Sequence, residues 1–274
     1  MMDSVTPPSL RERYLDLLEG ILTGGFMQDA PVVTPGYKAI VAAILQDIYR
    51  VSAEPAPEAL GYNANIREHG LDWPSHAMTM VGRKRLRNFR ALIENVIAEG
   101  IAGDIVETGV WRGGASIMAR AVLAAYDEPV RCVYLADSFA GLPPPDAARF
   151  PADAGSDLHE FRELAISLDQ VRQNFATFGL LDERVRFVQG WFRDTMPDFP
   201  ARQIAVLRLD GDMYESTIDP LTHLFDRVPA GGWVIVDDYH MVEACRLAVQ
   251  DFLAARGLAP VLQEIDGSGV YFRK

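Results

Sequence analysis

The sequence predicts an α/β fold built on a mostly parallel sheet, and three observations predict it. From residue 104 onward, short apolar runs rich in β-branched residues alternate with segments of helical periodicity. These runs are apolar on both faces, which is typical of parallel strands that helices cover on both sides. The chain ends in two strand-like runs around the turn residues Asp266 to Gly269, which predicts a terminal hairpin with an antiparallel strand at or near the sheet edge.

In chain order, the predicted strands lie at 104–111, 131–137, 185–191, 204–210 and 231–239. Helices are predicted between or after them at 113–126, 167–179, 216–228 and 242–257, and Gly179 and Gly257 end two of these helices. The residues before this pattern contain helical periodicity at 10–21, 40–49 and 86–97, joined by polar stretches that contain proline. We therefore divide the chain into a helical region, residues 1–100, and an α/β core, residues 101–274.

Composition restricts the class of protein. The 274 residues are 49% hydrophobic and 23% charged, as in globular proteins, and the formal net charge of −12 disfavours generic nucleic-acid binding. The two cysteines are far apart, which excludes a disulfide scaffold and a thiolate zinc site and fits a reducing cytoplasm. Because neither a signal peptide nor a membrane-spanning apolar run is found, we expect a cytoplasmic protein with no membrane partner.

The carboxyl ends of the predicted strands carry acids, glycines and aromatics, and open α/β sheets bind ligands at this edge. The first end, VETGVWRGG, places Gly109, Gly113 and Gly114 where the strand turns into its helix. Glycines let the backbone approach a ligand, and a helix N-terminus attracts negative charge. The spacing differs from the dinucleotide-binding pattern G-x-G-x-x-G, and a tight turn with no ligand is the alternative.

Two further strand ends suggest contacts to a nucleoside. Asp137 ends the second predicted strand, where an acid suits hydrogen bonding to a ribose diol, and a solvated acid or a helix cap is the alternative. Trp191, which follows Gly190 after the third strand, suits packing against an adenine ring. An ordinary core position is the alternative for this tryptophan.

Four aspartates at two strand ends are the sharpest signal. Asp210 and Asp212 follow the fourth predicted strand, and Asp237 and Asp238 follow the fifth. Such carboxylates repel one another unless something neutralises them, and hard oxygen ligands suit Mg²⁺ or Mn²⁺. A solvated acidic loop is the alternative, and the nearby His240 is more typical of a packing residue than of a ligand.

Several motifs in order resemble a known family. Together, VETGVWRGGAS, LADSFAGLP, VQGWFRDTMP, LRLDGDMYEST and GGWVIVDDYH resemble the macrocin/novobiocin-type O-methyltransferases, the TylF family, over roughly residues 65–274. The segment WPSHAMTMVGRKRLRNFRALIENVI is similar to that family's region before its first strand. The resemblance implies a class I methyltransferase (Rossmann-like) fold, with a seven-stranded sheet whose last strand is antiparallel. It also implies that residues 1–100 form a helical lid over the cofactor, and it implies a role in natural-product or antibiotic biosynthesis.

The resemblance also implies the site residues. It places a Mg²⁺ or Mn²⁺ ion at Asp210, Asp237 and Asp238, and it makes Asp212 the general base. The cofactor S-adenosylmethionine would contact residues at the strand ends and before the first strand: Thr79, Met80, Glu107, Gly109, Ser116, Asp137, Ser138, Gly190 and Trp191.

The chemistry agrees with this assignment. A sugar hydroxyl is a poor nucleophile, and a bound divalent cation lowers its pKa and orients it while a carboxylate takes the proton. We expect a metal-dependent O-methyltransferase acting on a sugar hydroxyl of a glycosylated natural product or an activated sugar. The alternatives are a phenolic or other small-molecule hydroxyl, a nucleotide-dependent dehydrogenase, and a non-catalytic cofactor-binding subunit. The missing G-x-G-x-x-G disfavours the dehydrogenase, and the aspartate cluster disfavours the pure binding subunit.

Three segments have two interpretations each. The basic run at 82–90 is interpreted as a solvated helix face, with the anchoring of a phosphorylated or nucleotide-linked sugar as the alternative. The long acidic, proline-rich segment 142–161 is a lid or substrate wall, or else it is disordered. The amphipathic N-terminal helices suit packing against a second subunit in a homo-oligomer as well as they suit a lid.

Overall fold

The computed structural model describes residues 7–32 and 61–274, so the helix expected at 40–49 lies outside the described residues. Within these ranges, the strands are β1 Asp104–Thr108, β2 Val133–Asp137, β3 Val185–Gln189, β4 Ile204–Leu209, β5 Trp233–Val236, β6 Gln263–Glu264 and β7 Val270–Arg273. The α-helices are α1 Leu10–Leu22, α2 Ala64–Glu68, α3 Gly82–Ala98, α4 Gly114–Ala125, α5 Leu168–Thr177, α6 Phe192–Thr195, α7 Tyr214–Leu224 and α8 Glu243–Ala255. Short 3₁₀ turns lie at Pro151–Asp153, Leu158–Glu160, Arg162–Leu164 and Phe225–Arg227.

The strands form one sheet in the order β3-β2-β1-β4-β5-β7-β6. Strands β1 to β5 are parallel, and β7 runs antiparallel to both β5 and β6. The predicted fold class is therefore confirmed, and the terminal hairpin places its antiparallel strand second from the edge. The strand order reverses between β1 and β4, so the carboxyl ends of these two strands border the switch point where such sheets bind ligands.

Helices cover both faces of the sheet, as the apolar strands predict. On one face, Leu15 of α1 and Phe89 of α3 share a core with Ile117 of α4. On the other face, Leu221 of α7 and Val249 of α8 pack against the sheet. The described N-terminal helices thus belong to the same hydrophobic core as α4 and the strands.

A buried ion pair holds the chain that leads into α3. Arg67 donates to both carboxylate oxygens of Asp72 at 2.7 Å, and it also donates to the carbonyl oxygens of Thr23 and Asp29. Further along, the backbone N–H of Gly114 donates to the carbonyl oxygen of Met78 at 2.9 Å. The segment before α3 therefore reaches the N-terminus of α4, at the carboxyl end of β1.

Segment 142–161 is folded, which favours its interpretation as a lid or substrate wall over disorder. The buried Asp153 accepts hydrogen bonds from the backbone N–H groups of Tyr214 and Glu215, at 2.6 and 3.0 Å, and so caps the first turn of α7. Helix α7 begins two residues before the predicted start, and the short helix α6 was not predicted. Among the described helices, none is both long and apolar enough to cross a membrane.

Candidate active site

A cleft with an empty volume of about 910 Å³ opens at the carboxyl ends of the strands. It is lined by most of the residues that the sequence places at a site: Thr79, Met80, Glu107, Gly109, Asp137, Ser138, Trp191, Asp210 and Asp212. Ser116, Gly190, Asp237 and Asp238 are not among the lining residues. One cavity thus gathers residues from the segment before α3 and from the ends of four strands.

The end of β1 passes very close to the end of β4. Gly109 has φ +83°, and a Cβ atom built on it would lie 1.6 Å from the carbonyl oxygen of Asp210. A side chain at this position is excluded both by its conformation and by the space available. The glycine therefore allows the two strand ends to form one continuous floor of the cleft.

We expect Gly109→Ala to lower the free energy of unfolding by at least about 2 kcal/mol, because the Asp210 backbone must move. Gly155→Ala is the matched control, since Gly155 has φ +83° and no atom within 4 Å of an added Cβ. The control isolates the conformational cost of about 1 kcal/mol. Urea unfolding of both variants measures the difference, and equal losses would contradict the steric role.

Glu107 lines the cleft from a buried position and is held by two side chains. Arg208 Nη1 donates to its Oε1 at 2.8 Å, and the Ser116 hydroxyl donates to its Oε2. Burial raises the pKa of Glu107 to about 7 even though Arg208 and Ser116 oppose the change. Ser116 therefore orients Glu107 from inside the core rather than lining the cleft itself.

Asp137 is fixed between the ends of β1 and β2. Its Oδ2 accepts the backbone N–H of Val110 at 2.7 Å, and its Oδ1 accepts the backbone N–H of Phe139 at 2.7 Å. Burial raises the pKa of Asp137, whereas these backbone donors oppose the rise. The Ser138 hydroxyl also donates to Oδ1, at the longer distance of 3.4 Å.

The predicted aspartate cluster is brought together. Asp210, Asp237 and Asp238 each offer a carboxylate oxygen, and these oxygens all lie within 4.8 Å of one another. The backbone N–H of Asp212 donates to Asp238 Oδ2 at 3.3 Å. Burial, followed by repulsion from Asp210 and Asp237, raises the pKa of Asp212 to about 7. Burial also raises the pKa of Asp238 well above its usual range.

Two buried arginines neutralise part of this cluster, and the sequence interpretation missed both. Arg208 donates to Asp210 at 2.7 Å and also to Asp237, in addition to Glu107. Arg85 of α3 donates to Asp237 and, at 3.0 Å, to Asp266. The interpretation of the basic run as a solvated face is therefore wrong for Arg85, which is 4% exposed. The two arginines supply part of the neutralisation that these acids were expected to need.

The sequence did carry signals for both arginines. Arg208 interrupts an otherwise apolar strand, and a charge in a buried strand needs a partner of opposite charge. Arg85 lies four residues before the buried Phe89 and therefore shares the apolar face of its helix. Neither position alone identifies the partner acid.

Three non-glycine residues in or beside the cleft lining have left-handed backbone conformations. Trp111, Phe139 and Asp212 have φ of 47°, 55° and 60°, and they follow β1, β2 and β4 respectively. Such conformations concentrate at ligand sites, where the surrounding structure holds them. The Trp111 indole N–H donates to the carbonyl oxygen of Glu163 at 2.8 Å, which ties the wall segment to the end of β1.

Comparison with known proteins finds similar O-methyltransferases. One is 8-demethyl-8-(2,3-dimethoxy-alpha-L-rhamnosyl)-tetracenomycin-C 4'-O-methyltransferase from Streptomyces olivaceus. It is 47% identical over 264 residues, which is 96% of this chain and 93% of that protein. Mycinamicin III 3''-O-methyltransferase from Micromonospora griseorubida is 42% identical and covers 98% of this chain and 99% of its own. The solved structure of the O-methyltransferase NovP has a TM-score of 0.84 at 42% identity and covers 96% of this chain and 99% of its own.

A family model matches nearly the whole chain. The macrocin O-methyltransferase (TylF) model covers residues 11–274, which includes the described part of the N-terminal region as well as the α/β core. The family resemblance of the sequence motifs is thereby confirmed. The chain belongs to the macrocin O-methyltransferase (TylF) family and is an O-methyltransferase.

Proposed function

We propose that this enzyme transfers the methyl group of S-adenosylmethionine to a sugar hydroxyl of a natural product. In the proposal, Asp210, Asp237 and Asp238 hold Mg²⁺ or Mn²⁺, and Asp212 is the general base. The observation that carries it is that carboxylate oxygens of Asp210, Asp237 and Asp238 lie within 4.8 Å of one another, and that Asp210 and Asp212 line the cleft. The tetracenomycin relative, whose named acceptor contains a rhamnosyl group, supports a sugar as the acceptor.

The donor set fits a divalent cation. Among the described residues, Arg85 and Arg208 donate to four carboxyl groups, those of Glu107, Asp210, Asp237 and Asp266. Burial, followed by repulsion from Asp212, Asp210 and Asp237, nevertheless raises the pKa of Asp238, which indicates that negative charge remains in the cluster. Asp237 already contacts both arginines, but each of its oxygens has a second lone pair for a metal. Carboxylate oxygens are the ligands that Mg²⁺ prefers.

The cofactor would occupy the part of the cleft between the ends of β1, β2 and β3. Asp137 is positioned to accept the ribose hydroxyls, and Trp191 is positioned for an adenine face. Thr79 and Met80 line the same cleft from the segment before α3, which supports the proposed lid role of residues 1–100. Gly190 has φ +145° and, like Ser116, would act by positioning these neighbours.

The proposed chemistry is a direct displacement. The acceptor oxygen forms a bond to the methyl carbon as the carbon–sulfur bond breaks, and the hydroxyl proton passes to an Asp212 carboxylate oxygen. When bound, the divalent cation lowers the pKa of the hydroxyl and orients it. Asp212 is suited to the base role because its pKa of about 7 allows it both to ionise and to accept a proton near neutral pH. The tight turn at Asp212, with the Met213 N–H 2.6 Å from the Gly211 carbonyl oxygen, holds this residue at the cleft.

Calorimetric titration of S-adenosylhomocysteine with Mg²⁺ and then with EDTA tests the cofactor and metal assignments. We expect micromolar binding in both conditions, because the proposed cofactor contacts do not include the metal ligands Asp210, Asp237 and Asp238. A second titration with Mg²⁺ should show a site that Asp238→Ala loses, and this variant should also lose methyl transfer to the rhamnosyl tetracenomycin acceptor.

Asp251→Ala is the control, since Asp251 is exposed and contacts only the Tyr214 hydroxyl among the hydrogen bonds of the described chain. Absence of S-adenosylhomocysteine binding would overturn the cofactor assignment. Full activity in EDTA would overturn the metal mechanism and leave Arg85 and Arg208 as the groups that neutralise the acids.

A further inference from the structure

Glu215 is an acid in the cleft that the proposed reaction does not use. It lies in the first turn of α7, three residues after Asp212, and both residues line the cleft. Glu215 is only 5% exposed, and its Oε2 is buried with no hydrogen-bond partner among the described residues. Arg193 Nη1 lies 3.8 Å from Oε1, which is longer than a hydrogen bond. Buried carboxylate oxygens normally have donors, so this side chain needs an explanation.

The surrounding charges do not supply the missing donor. Asp219 lies one helical turn later, and its buried Oδ2 also has no hydrogen-bond partner in the described part of the chain. Burial raises the pKa of Glu215 and the neighbouring Asp219 raises it further, whereas Arg193 and Arg149 lower it. The cations near Glu215 therefore offset the cost of its burial only in part.

The backbone of Glu215 is held firmly in place. Its N–H donates to Asp153 Oδ2 at 3.0 Å, and Asp153 comes from the folded segment that forms a wall of the cleft. The same segment contributes the apolar residues Leu142 and Pro143 to the cleft lining, and Leu164 lies soon after it in the chain. The cleft thus combines apolar lining residues with an acceptor, Glu215 Oε2, that has no hydrogen-bond partner among the described residues, which suits a hydroxyl-bearing sugar on an apolar scaffold.

We propose that the Glu215 carboxylate accepts a hydrogen bond from a hydroxyl of the acceptor sugar other than the one that is methylated. The inference rests on the proposed function, since it names a contact with the acceptor of that reaction. Rotation about the terminal bond of a glutamate side chain is soft, so either oxygen can face the ligand. Glu215 thus selects acceptors by a second hydroxyl, next to the aspartate that receives the proton of the first.

The test is calorimetric titration of phenyl α-L-rhamnopyranoside into the full-length enzyme saturated with S-adenosylhomocysteine and Mg²⁺. We expect Glu215→Gln to weaken glycoside binding about tenfold, because the amide oxygen accepts only a neutral hydrogen bond in place of a charge-assisted one. Affinity for S-adenosylhomocysteine should not change. The melting temperature should equal or exceed that of the wild type, because the neutral amide removes an unpaired buried charge.

Asp194→Asn is the matched control. Asp194 lies 3.8 Å from the same Arg193, but its side chain is 65% exposed and does not line the cleft. This variant should leave glycoside binding, cofactor binding and melting temperature unchanged. A set of monodeoxy rhamnosides then identifies the hydroxyl. One of them should bind the wild type about tenfold more weakly than the parent does, and Glu215→Gln should weaken its binding no further.

Three results would overturn the inference. If every monodeoxy rhamnoside lost the same affinity relative to the parent in the wild type and in Glu215→Gln, Glu215 would contact no acceptor hydroxyl. A lower melting temperature with unchanged glycoside affinity would make Glu215 a purely structural residue. Failure of the wild type to bind any rhamnoside would also overturn it, whereas failure of the proposed function would appear separately as lost S-adenosylhomocysteine or Mg²⁺ binding.

Discussion

Asp212→Asn is expected to lower turnover by at least about a hundredfold, the usual size of a general-base contribution. Asparagine removes the proton acceptor but keeps the shape of the side chain. It also tolerates the left-handed region, so the φ of 60° at this residue can be maintained. We therefore expect S-adenosylhomocysteine and Mg²⁺ affinities close to those of the wild type. Single-turnover methyl transfer measures the chemical step apart from product release.

The Asp212 prediction has a second readout in the dependence on pH. The wild-type rate should rise with pH as the base ionises. This rising limb of the pH–rate profile should be absent in the asparagine variant. Asp194→Asn, which changes an exposed carboxylate, should keep both the rate and the limb. Near-wild-type turnover of Asp212→Asn would remove Asp212 as the base and direct attention to the other acids of the cluster.

Arg208→Met is expected to lower the free energy of unfolding by about 3–5 kcal/mol at pH 8, because it leaves buried acids without their cation. Arg208 is 1% exposed and contacts Glu107, Asp210 and Asp237, so three carboxylates lose a partner at once. Methionine retains the unbranched apolar stem of the arginine side chain, which confines the change in packing to the space of the guanidinium group. Urea unfolding in EDTA measures the loss without a contribution from metal binding.

The loss of unfolding free energy caused by Arg208→Met should depend on pH, and the titration of Glu107 determines whether the loss grows or shrinks as pH rises. The pKa of Glu107 is about 7 in the folded protein, above its usual 4.5, so between these values the folded state binds more protons and its stability falls as pH rises. Removal of Arg208 raises this pKa further, because the cation favours the ionised form. The difference between variant and wild type should therefore be smaller at pH 6 than at pH 8.

Arg246→Met is the matched control for this experiment. Arg246 forms an exposed pair with Glu243 at 3.2 Å, and such pairs contribute at most about 1 kcal/mol. A loss of stability for Arg208→Met that is the same at both pH values would contradict the electrostatic explanation. It would instead indicate that the side chain acts through packing.

Many of the site residues were predictable from local sequence, because they directly follow apolar runs that indicate strands. Apolar runs ending in Asp137, Asp210 and Asp237 mark the strand ends, and parallel strands bring their carboxyl ends to one edge. In agreement with that reasoning, Asp137 and Asp210 line the cleft, and a carboxylate oxygen of Asp237 lies within 4.8 Å of one of Asp210. Boundaries were less accurate, since the true strands are shorter than the predicted runs and Asp153 caps α7 from a distant segment.

The sequence by itself determined the α/β class, the order of the strands along the chain and the acids at their ends, because these depend on residues close together in the chain. Only the tertiary structure decided which charges meet. Arg85 reaches Asp237 and Asp266 across 152 and 181 residues, and the packing around α7 leaves Glu215 Oε2 without a donor among the described residues. Local periodicity carries no record of such contacts, since a buried charge takes its partner from whichever element the fold packs against it.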